Sequence, residues 1–354
     1  MTTALGIPGV GVGHATDREA CTGCTVVLVP AGAVAAVDVR GGAPGTRETD
    51  LLSPLGSVAE LHAVVLCGGS APGLGAADGV VAFLEERGLG YETPYARVPL
   101  VSGAVIYDRG LGERGARPGP ADGYRAAAAA AEALGLGTRD HTRDADADRP
   151  AVSSVVAAAE EGSVGVGTGA TVGKILGEAG WMKGGVGIAT LDLPGRARVT
   201  ALTVVNAFGD VLDEAGAILA GARMAGGAFV DTRRFVLAAE DHPHFNRMAE
   251  ATTLSVVVTD AAVTKTQCAV VARVAHDGMA RAVSPVHTPV DGDAVFVVSA
   301  GERPANVFQL GVAAVDVVAA SVRRAVRVAE SLGGAPAVRD LHPAPATAGS
   351  GEVG

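Results

Sequence analysis

The chain has 354 residues, 48% hydrophobic, 19% charged and only 3% aromatic, with 50 glycines and a net charge of −10 at pH 7. That length allows one large domain or two ordinary ones, with a core of Val, Ala and Leu packed closely around glycine. The acidic balance and the lack of clustered Lys and Arg exclude a nucleic-acid binder, because phosphate neutralisation needs concentrated positive charge.

Residues 1–20 carry no basic stretch followed by an apolar run, so no signal peptide is expected. No apolar stretch reaches the ~18 residues of a transmembrane helix, which points to a soluble, cytoplasmic protein without a membrane partner. Val-rich runs predict strands over 25–29, 34–39 and 63–66. Helices are predicted over 71–87 and 121–134, then strands over 164–166, 199–206 and 254–259. A helix over 264–281, a strand over 294–298 and a helix over 305–332 complete the order. In the 264–281 helix, Ala269, Ala272 and Ala275, continuing to Gly278, mark one packed face, with Lys265, Arg273 and Asp277 off it. Strands and helices come in pairs without strict βαβ alternation, which favours sheets stacked on each other and covered by helices.

Cys21, Cys24, Cys67 and Cys268 are too few and too scattered for a disulfide framework, and the Cys21-x-x-Cys24 pair reads as part of a buried strand. Residues 140–150 read as a charged surface loop, 231–250 as an exposed polar connection and 333–354 as a disordered tail rich in Gly, Ala and Pro. The sharpest compositional boundary lies at Ala251-Thr252-Thr253-Leu254-Ser255-Val256, where a polar stretch meets a strand. A hydroxyl at the mouth of a strand, after a flexible loop, suits attack on its own preceding carbonyl. Thr252 Oγ1 would attack the Ala251 carbonyl, and water would open the resulting ester to free the Thr252 α-amine. An α-amine has a pKa of about 7.7–8.0, so it can serve near neutral pH as general base for the adjacent hydroxyl. By itself, Thr-Thr before a valine run is also what a plain strand start looks like.

Several long motifs carry more. AVDVRGGAPGTRETDLL (36–52), LCGGSAPGLGAADGV (66–80) and VSGAVIYDRG (101–110) resemble the DmpA/BapA-type aminopeptidases, as do GTGATVGKILG, WMKGGVG and VVNAFGDV. After the boundary, TTLSVVVTDAAVTKTQ, AHDGMARAVSPVHT and DGDAVF continue the same series in the same order. The family includes β-aminopeptidases, D-amino acid esterases and nylon-oligomer endohydrolases, and Thr-Thr at the boundary is most similar to the last branch. The resemblance implies an α+β fold, a four-layer αββα sandwich, cut into an α chain (1–251) and a β chain (252–354) of one domain. It also implies a homotetramer of αβ units acting on small peptides or amides.

The roles it implies are these. Thr252 is the nucleophile and Lys174 the cation beside it, lowering the hydroxyl pKa and relaying protons. Tyr107 and Asn206 donate to the developing oxyanion, while Asp291 and Asp293 orient the α-amine and Lys174. Gly68, Gly69 and Ser70 shape the pocket by close backbone approach. Two carboxylates without further oxygen ligands do not make a metal site, so neither metal nor cofactor is expected. Among the histidines, His276 and His287 read as packing and turn positions, and His242 and His244 as exposed. Alanine at 251 departs from the Asn or Gly common before the nucleophile, removing side-chain assistance and leaving an uncleaved structural relative as one alternative. Ala-Thr also opens the β chain of ornithine acetyltransferases, making acetyl transfer on amino-acid amines the other alternative. Their upstream Lys-Gly-x-Gly-Met-Ile-x-Pro element is missing here.

Overall fold

A computed structural model describes residues 5–136, 160–195, 197–240 and 251–341. Gly11–Asp17 (β1) and the 18-residue Thr22–Val39 (β2) open the fold as an antiparallel pair. Thr46–Arg47 (β3) and Glu60–Cys67 (β4) follow, then Ala76–Glu85 (α1), Val101–Val105 (β5) and Pro120–Glu132 (α2). The second part supplies Gly185–Asp192 (β6), Arg198–Asn206 (β7), Thr232–Ala238 (α3) and Thr252–Ala261 (β8). Lys265–Ala282 (α4), Ala294–Arg303 (β9), Val307–Val328 (α5) and Val338–Leu341 (α6) complete the described chain.

These strands form one sheet in the order β6-β7-β8-β9-β2-β4-β5-β3, with β1 paired to β2 off that path. β2 belongs to both halves. Its first part, Thr22 to Leu28, pairs with β1 and β4, and its last part, Val34 to Val39, pairs with β9. Between them, at Pro30-Ala31-Gly32, the register against β4 shifts and Gly32 takes φ +80. The two strands expected at 25–29 and 34–39 are therefore one strand, and the turn-like residues mark where the sheet folds over on itself.

That bend lays the two halves face to face. Val27, Leu61, Val64 and Leu66 from one half pack with Leu202, Val204, Leu254, Val256 and Phe296 from the other. Strand side chains alternate faces, so the residues between them point outward: Val65 and Cys67 meet α1 and α2, and Val205, Val257 and Val297 meet α4 and α5. The result is the αββα sandwich. Both sheet faces are covered, and every residue of β8 is buried.

The helices form for local reasons as well. Thr264 caps α4: its hydroxyl accepts from Gln267 N at 3.3 Å, while Gln267 Oε1 accepts from Thr264 N at 2.8 Å. Cys268, Val271, Ala272, Ala275 and Met279 then recur at helical spacing on the buried face. Asn306 caps α5 by accepting from Phe308 N at 2.8 Å.

Three further expectations change. Residues 164–166 do not make a strand: Gly165–Gly167 is a 3₁₀ turn, with Gly165 at φ +51 and its N–H donated to Thr16 Oγ1. The polar segment from 231 includes α3, because Asp231 accepts from Arg234 N at 2.9 Å and caps it. Of the expected tail, residues 333–341 fold back. Ala335 and Ala337 are buried and α6 packs on the α5 layer. The loop at 140–150, His242, His244 and residues 342–354 lie outside the described residues. No helix among the described residues is long and apolar enough to cross a membrane.

α1 and α2 cross at two glycines. A Cβ on Gly79 would lie 1.7 Å from Pro120 O, and one on Gly123 would lie 1.8 Å from Ala76 O. Gly123→Val must push these helices apart, so it is expected to cost at least about 1–3 kcal/mol as an overpacked core does. The check is a lower urea midpoint at an unchanged slope.

Candidate active site

Ala251 and Thr252 sit where β8 begins, and both neighbouring strands fix them there. On one side Asn206 is the antiparallel partner of Thr252. On the other, Ala251 bridges in parallel to Asp291, just before β9. The Ala251 carbonyl accepts a hydrogen bond from Gly292 N at 2.9 Å, and the Thr252 hydroxyl donates to the same carbonyl. Gly292 is required by contact: a Cβ there would lie 2.8 Å from Thr252 Oγ1 and 2.8 Å from Ala43 O. Thr252 is 4% exposed.

Asp293 holds this point directly and Asp291 holds the segments around it. Asp293 Oδ1 accepts from Thr253 N at 2.6 Å, and Oδ2 from His287 N at 3.0 Å and His287 Nδ1 at 2.8 Å. Asp291 Oδ1 accepts from Phe208 N at 3.3 Å, while Oδ2 accepts from Thr288 N at 3.1 Å and from the Thr288 hydroxyl. All four carboxylate oxygens thus face N–H or O–H donors. The segment after β2 closes over them, with Arg40 N donating to Asp293 O at 2.9 Å and Ala43 N to Asp291 O at 2.8 Å. His287 is more than a turn residue, since its ring holds Asp293. His276 lies edge-on to it, with centroids 4.7 Å apart, and donates Nε2–H to Asp38 O at 3.0 Å. Burial pushes the His276 pKa down to about 4, so that ring is neutral.

Lys174, Asn206 and Tyr107 come together on the other side. Lys174, 5% exposed, donates to Asn206 Oδ1 at 2.9 Å. Thr171 N donates to the same oxygen at 3.0 Å, and Asn206 Nδ2 donates to the Tyr107 backbone carbonyl at 3.0 Å. Directly opposed residues of an antiparallel pair have Cβ atoms about 4.5–5.5 Å apart on one face, which sets Asn206 and its Lys174 partner beside Thr252. Gly173 makes this possible. It has φ +72, and a Cβ would lie 2.0 Å from Ala222 N, while Lys174 N is tied to Phe208 O at 3.0 Å.

A cavity of about 260 Å³ opens beside these groups, with Tyr107, Thr171 and Lys174 at its inner end and Arg109, Arg114, Glu178 and Trp181 among its walls. Gly68, Gly69 and Ser70 are not among the lining residues. They act one step back: Gly69 N donates to Asp108 Oδ1 at 2.6 Å and Gly69 O accepts from Arg109 Nε at 3.1 Å.

Two buried charges around the cavity, Asp108 and Lys183, are not singled out by the motifs. Asp108 lines the cavity, its Oδ2 accepting from Thr22 Oγ1 at 2.7 Å, and burial raises its pKa. Lys183, wholly buried, donates to Gly167 O, Thr168 O and Ala170 O at 3.1, 2.9 and 2.8 Å, clasping the turn that carries Thr171. Burial pushes its pKa down to about 7. Lys183 is the single charge of the apolar, Gly-rich WMKGGVG, and that mismatch is the available signal; Asp108 stands beside Arg109 and offers none.

The profile of peptidase family S58 matches residues 5–339. The chain belongs to peptidase family S58. An uncharacterised aminopeptidase of Mycobacterium bovis is 37% identical, over 97% of this chain and 98% of its own length. A 6-aminohexanoate-oligomer endohydrolase of Kocuria sp. is 33% identical over 85% of this chain and 76% of its own. Among solved structures, a Burkholderia sp. β-aminopeptidase superposes with a TM-score of 0.64 at 21% identity, covering 95% of this chain and 90% of its own. The L-aminopeptidase D-Ala-esterase/amidase of Ochrobactrum anthropi, described as a variant of the Ntn-hydrolase fold, gives 0.63 at 20%, covering 94% and 88%. As an S58 member the chain is a hydrolase of amide bonds.

Burial and the neighbouring Asp293 push the Asp291 pKa up to about 7, against about 3.9 in an unfolded chain. Between those values the native state binds more protons than the unfolded one, so this group makes stability fall as pH rises from about 4 to about 7. Asp291→Asn cannot ionise and loses that slope. The urea midpoint of the variant relative to wild type is expected to shift in the variant's favour between pH 4 and pH 8, and a constant difference would mean Asp291 is ionised throughout.

Proposed function

We propose that this S58 member is made as a precursor that cuts itself between Ala251 and Thr252 and then works as an N-terminal-nucleophile amidase. Thr252 Oγ1 adds to the Ala251 carbonyl, the C–N bond breaks as the nitrogen takes a proton, and water hydrolyses the ester. The products are a carboxylate on Ala251 and a free α-amine on Thr252. In turnover that amine takes the hydroxyl proton while Oγ1 attacks the substrate carbonyl. The departing amine leaves protonated, and water releases the acyl group. The observation that carries this reading is the Thr252 hydroxyl bonded to the Ala251 carbonyl, whose oxygen is already held by Gly292 N–H.

The Gly292 amide serves the oxyanion of the self-cleavage step. Asn206, with one amide N–H on the Tyr107 carbonyl and a second to offer, serves the oxyanion of the substrate step together with Tyr107. Lys174 keeps positive charge beside the hydroxyl, and Asp293 holds the backbone next to the new terminus through Thr253 N. The two pieces, 1–251 and 252–354, remain one domain because β8 and β9 stay paired to β7 and β2. Substrates are short linear amides, aminoacyl or aminohexanoyl, in line with the activities named for the relatives. Those same names favour hydrolysis over acetyl transfer. Exposed Leu55, Tyr95, Leu237 and Phe308 offer apolar surface for a homo-oligomer of such units, a tetramer, and the four buried free thiols suit the cytoplasm.

Intact-mass spectrometry of purified wild type should give two polypeptides, the smaller beginning at Thr252, whereas Thr252→Ala should give a single chain without amidase activity. Asn206→Ala, losing an oxyanion donor, should lower kcat by about 10²–10³. A wild type that stays whole and still hydrolyses amides defeats the proposal.

A further inference from the structure

The cavity that Lys174 lines carries three cationic side chains, Lys174, Arg109 and Arg114, and two carboxylates, Asp108 and Glu178. Asp108 is turned away to Gly69 N and the Thr22 hydroxyl and forms no ion pair with Arg109. Glu178 is spent on Arg114, 3.6 Å away at the exposed rim. Lys174 is engaged with Asn206. Arg109 remains, half-buried in the wall. Its hydrogen bond runs from Nε to the Gly69 carbonyl at 3.1 Å, which satisfies one N–H and neutralises none of its charge. Among the described residues no carboxylate forms an ion pair with it. In a chain of net charge −10, an unanswered guanidinium in a concave wall is a place of concentrated positive potential.

This arginine is also held still. Its acceptor, Gly69, sits at φ +81 with its own N–H fixed by Asp108. The next residue, Gly110, lies against Trp181, where a Cβ would come within 2.4 Å of the ring. A fixed planar fork whose terminal nitrogens remain to be paired suits a carboxylate better than a point charge would.

The spacing says where that carboxylate belongs. Asn206 meets the backbone of Tyr107, and Arg109 follows two residues later, where a turn begins and Leu111 N donates to Asp108 O at 3.2 Å, so it lies at most about 7 Å along the chain. One amino-acid residue spans about 3.8 Å between Cα atoms, so an acid group one residue beyond the scissile amide comes within reach of a long arginine side chain.

We propose that Arg109 binds the free carboxylate at the leaving-amine end of the substrate, making this enzyme selective for short amides that end in a free acid. This rests on the amidase reading above but is tested by a ratio of substrates rather than by turnover as such. L-Alanyl-, β-alanyl- and 6-aminohexanoyl-alanine are offered as free acids and as C-terminal amides, and kcat/KM is compared within each pair. In at least one series wild type should prefer the acid by about tenfold or more, the range of a charge-assisted pair, with the difference lying in KM. Arg109→Gln should bring that ratio to within about twofold, and Arg109→Lys should restore part of it. A wild type that treats acid and amide alike, a preference that survives in Arg109→Gln, or a preference lying in kcat alone overturns the proposal. Loss of all turnover in Thr252→Ala speaks only to the nucleophile.

Discussion

The register between β7 and β8 is the constraint on which the site depends. It places Asn206 opposite Thr252, and with it Lys174. A slip of one residue would turn Thr252 toward α4 and α5 and put Thr253 in its place, because side chains alternate between faces. Apolar pattern alone does little to prevent this, since both faces of β8 are buried and valines occur on each. A polar pin does the work. The Thr203 hydroxyl meets Ser255 Oγ at 2.7 Å, its direct cross-strand partner, and Ser321 Oγ of α5 at 2.7 Å. Any shifted pairing would leave these buried hydroxyls unmatched, at about 1–3 kcal/mol for each group.

Around that register, the charged groups are held largely by the backbone rather than by opposite charges. Asp293 and Asp291 collect backbone amides from 253, 208, 287 and 288. The three carbonyls around Lys183 match the three N–H bonds of an ammonium group. Such partners fix position but supply only partial charge, so desolvation governs the proton affinities: Asp291 and Asp108 are raised and Lys183 is lowered. Asp108 and Asp291 thereby tie together segments that the sequence keeps 39 and 83 residues apart, while Lys183 closes a local turn.

How much of this could be read in advance follows from the same physics. α2, α4 and α5 were legible because caps and helical spacing are local properties, and their bounds fall within a few residues of those expected. The layered sandwich was implied by paired strands followed by paired helices. Pro30-Ala31-Gly32 reads as a turn in one dimension, yet the long β2 runs through it from one layer to the other. Gly165 and Gly167 let a Val-containing run fold as a 3₁₀ turn. Thr252, Lys174 and Asn206 were named from motifs, and the hydrogen-bonded Lys174–Asn206 pair beside Thr252 came only with the fold. Asp108 and Lys183 went unnoticed because their partners are mostly backbone atoms, which no residue pattern advertises.

Of the strands after residue 251, β8 lies against β7 and β9 against β2, so the final third of the chain is wedged into the middle of a sheet built by the rest. While Ala251 and Thr252 are joined, the wedge reaches its slot within one molecule, at the high effective concentration that a tether provides. Under the proposed cleavage, complete unfolding would yield two molecules, and the way back would become second-order and sensitive to dilution. The bond would then hasten arrival at this architecture without being required to remain in it.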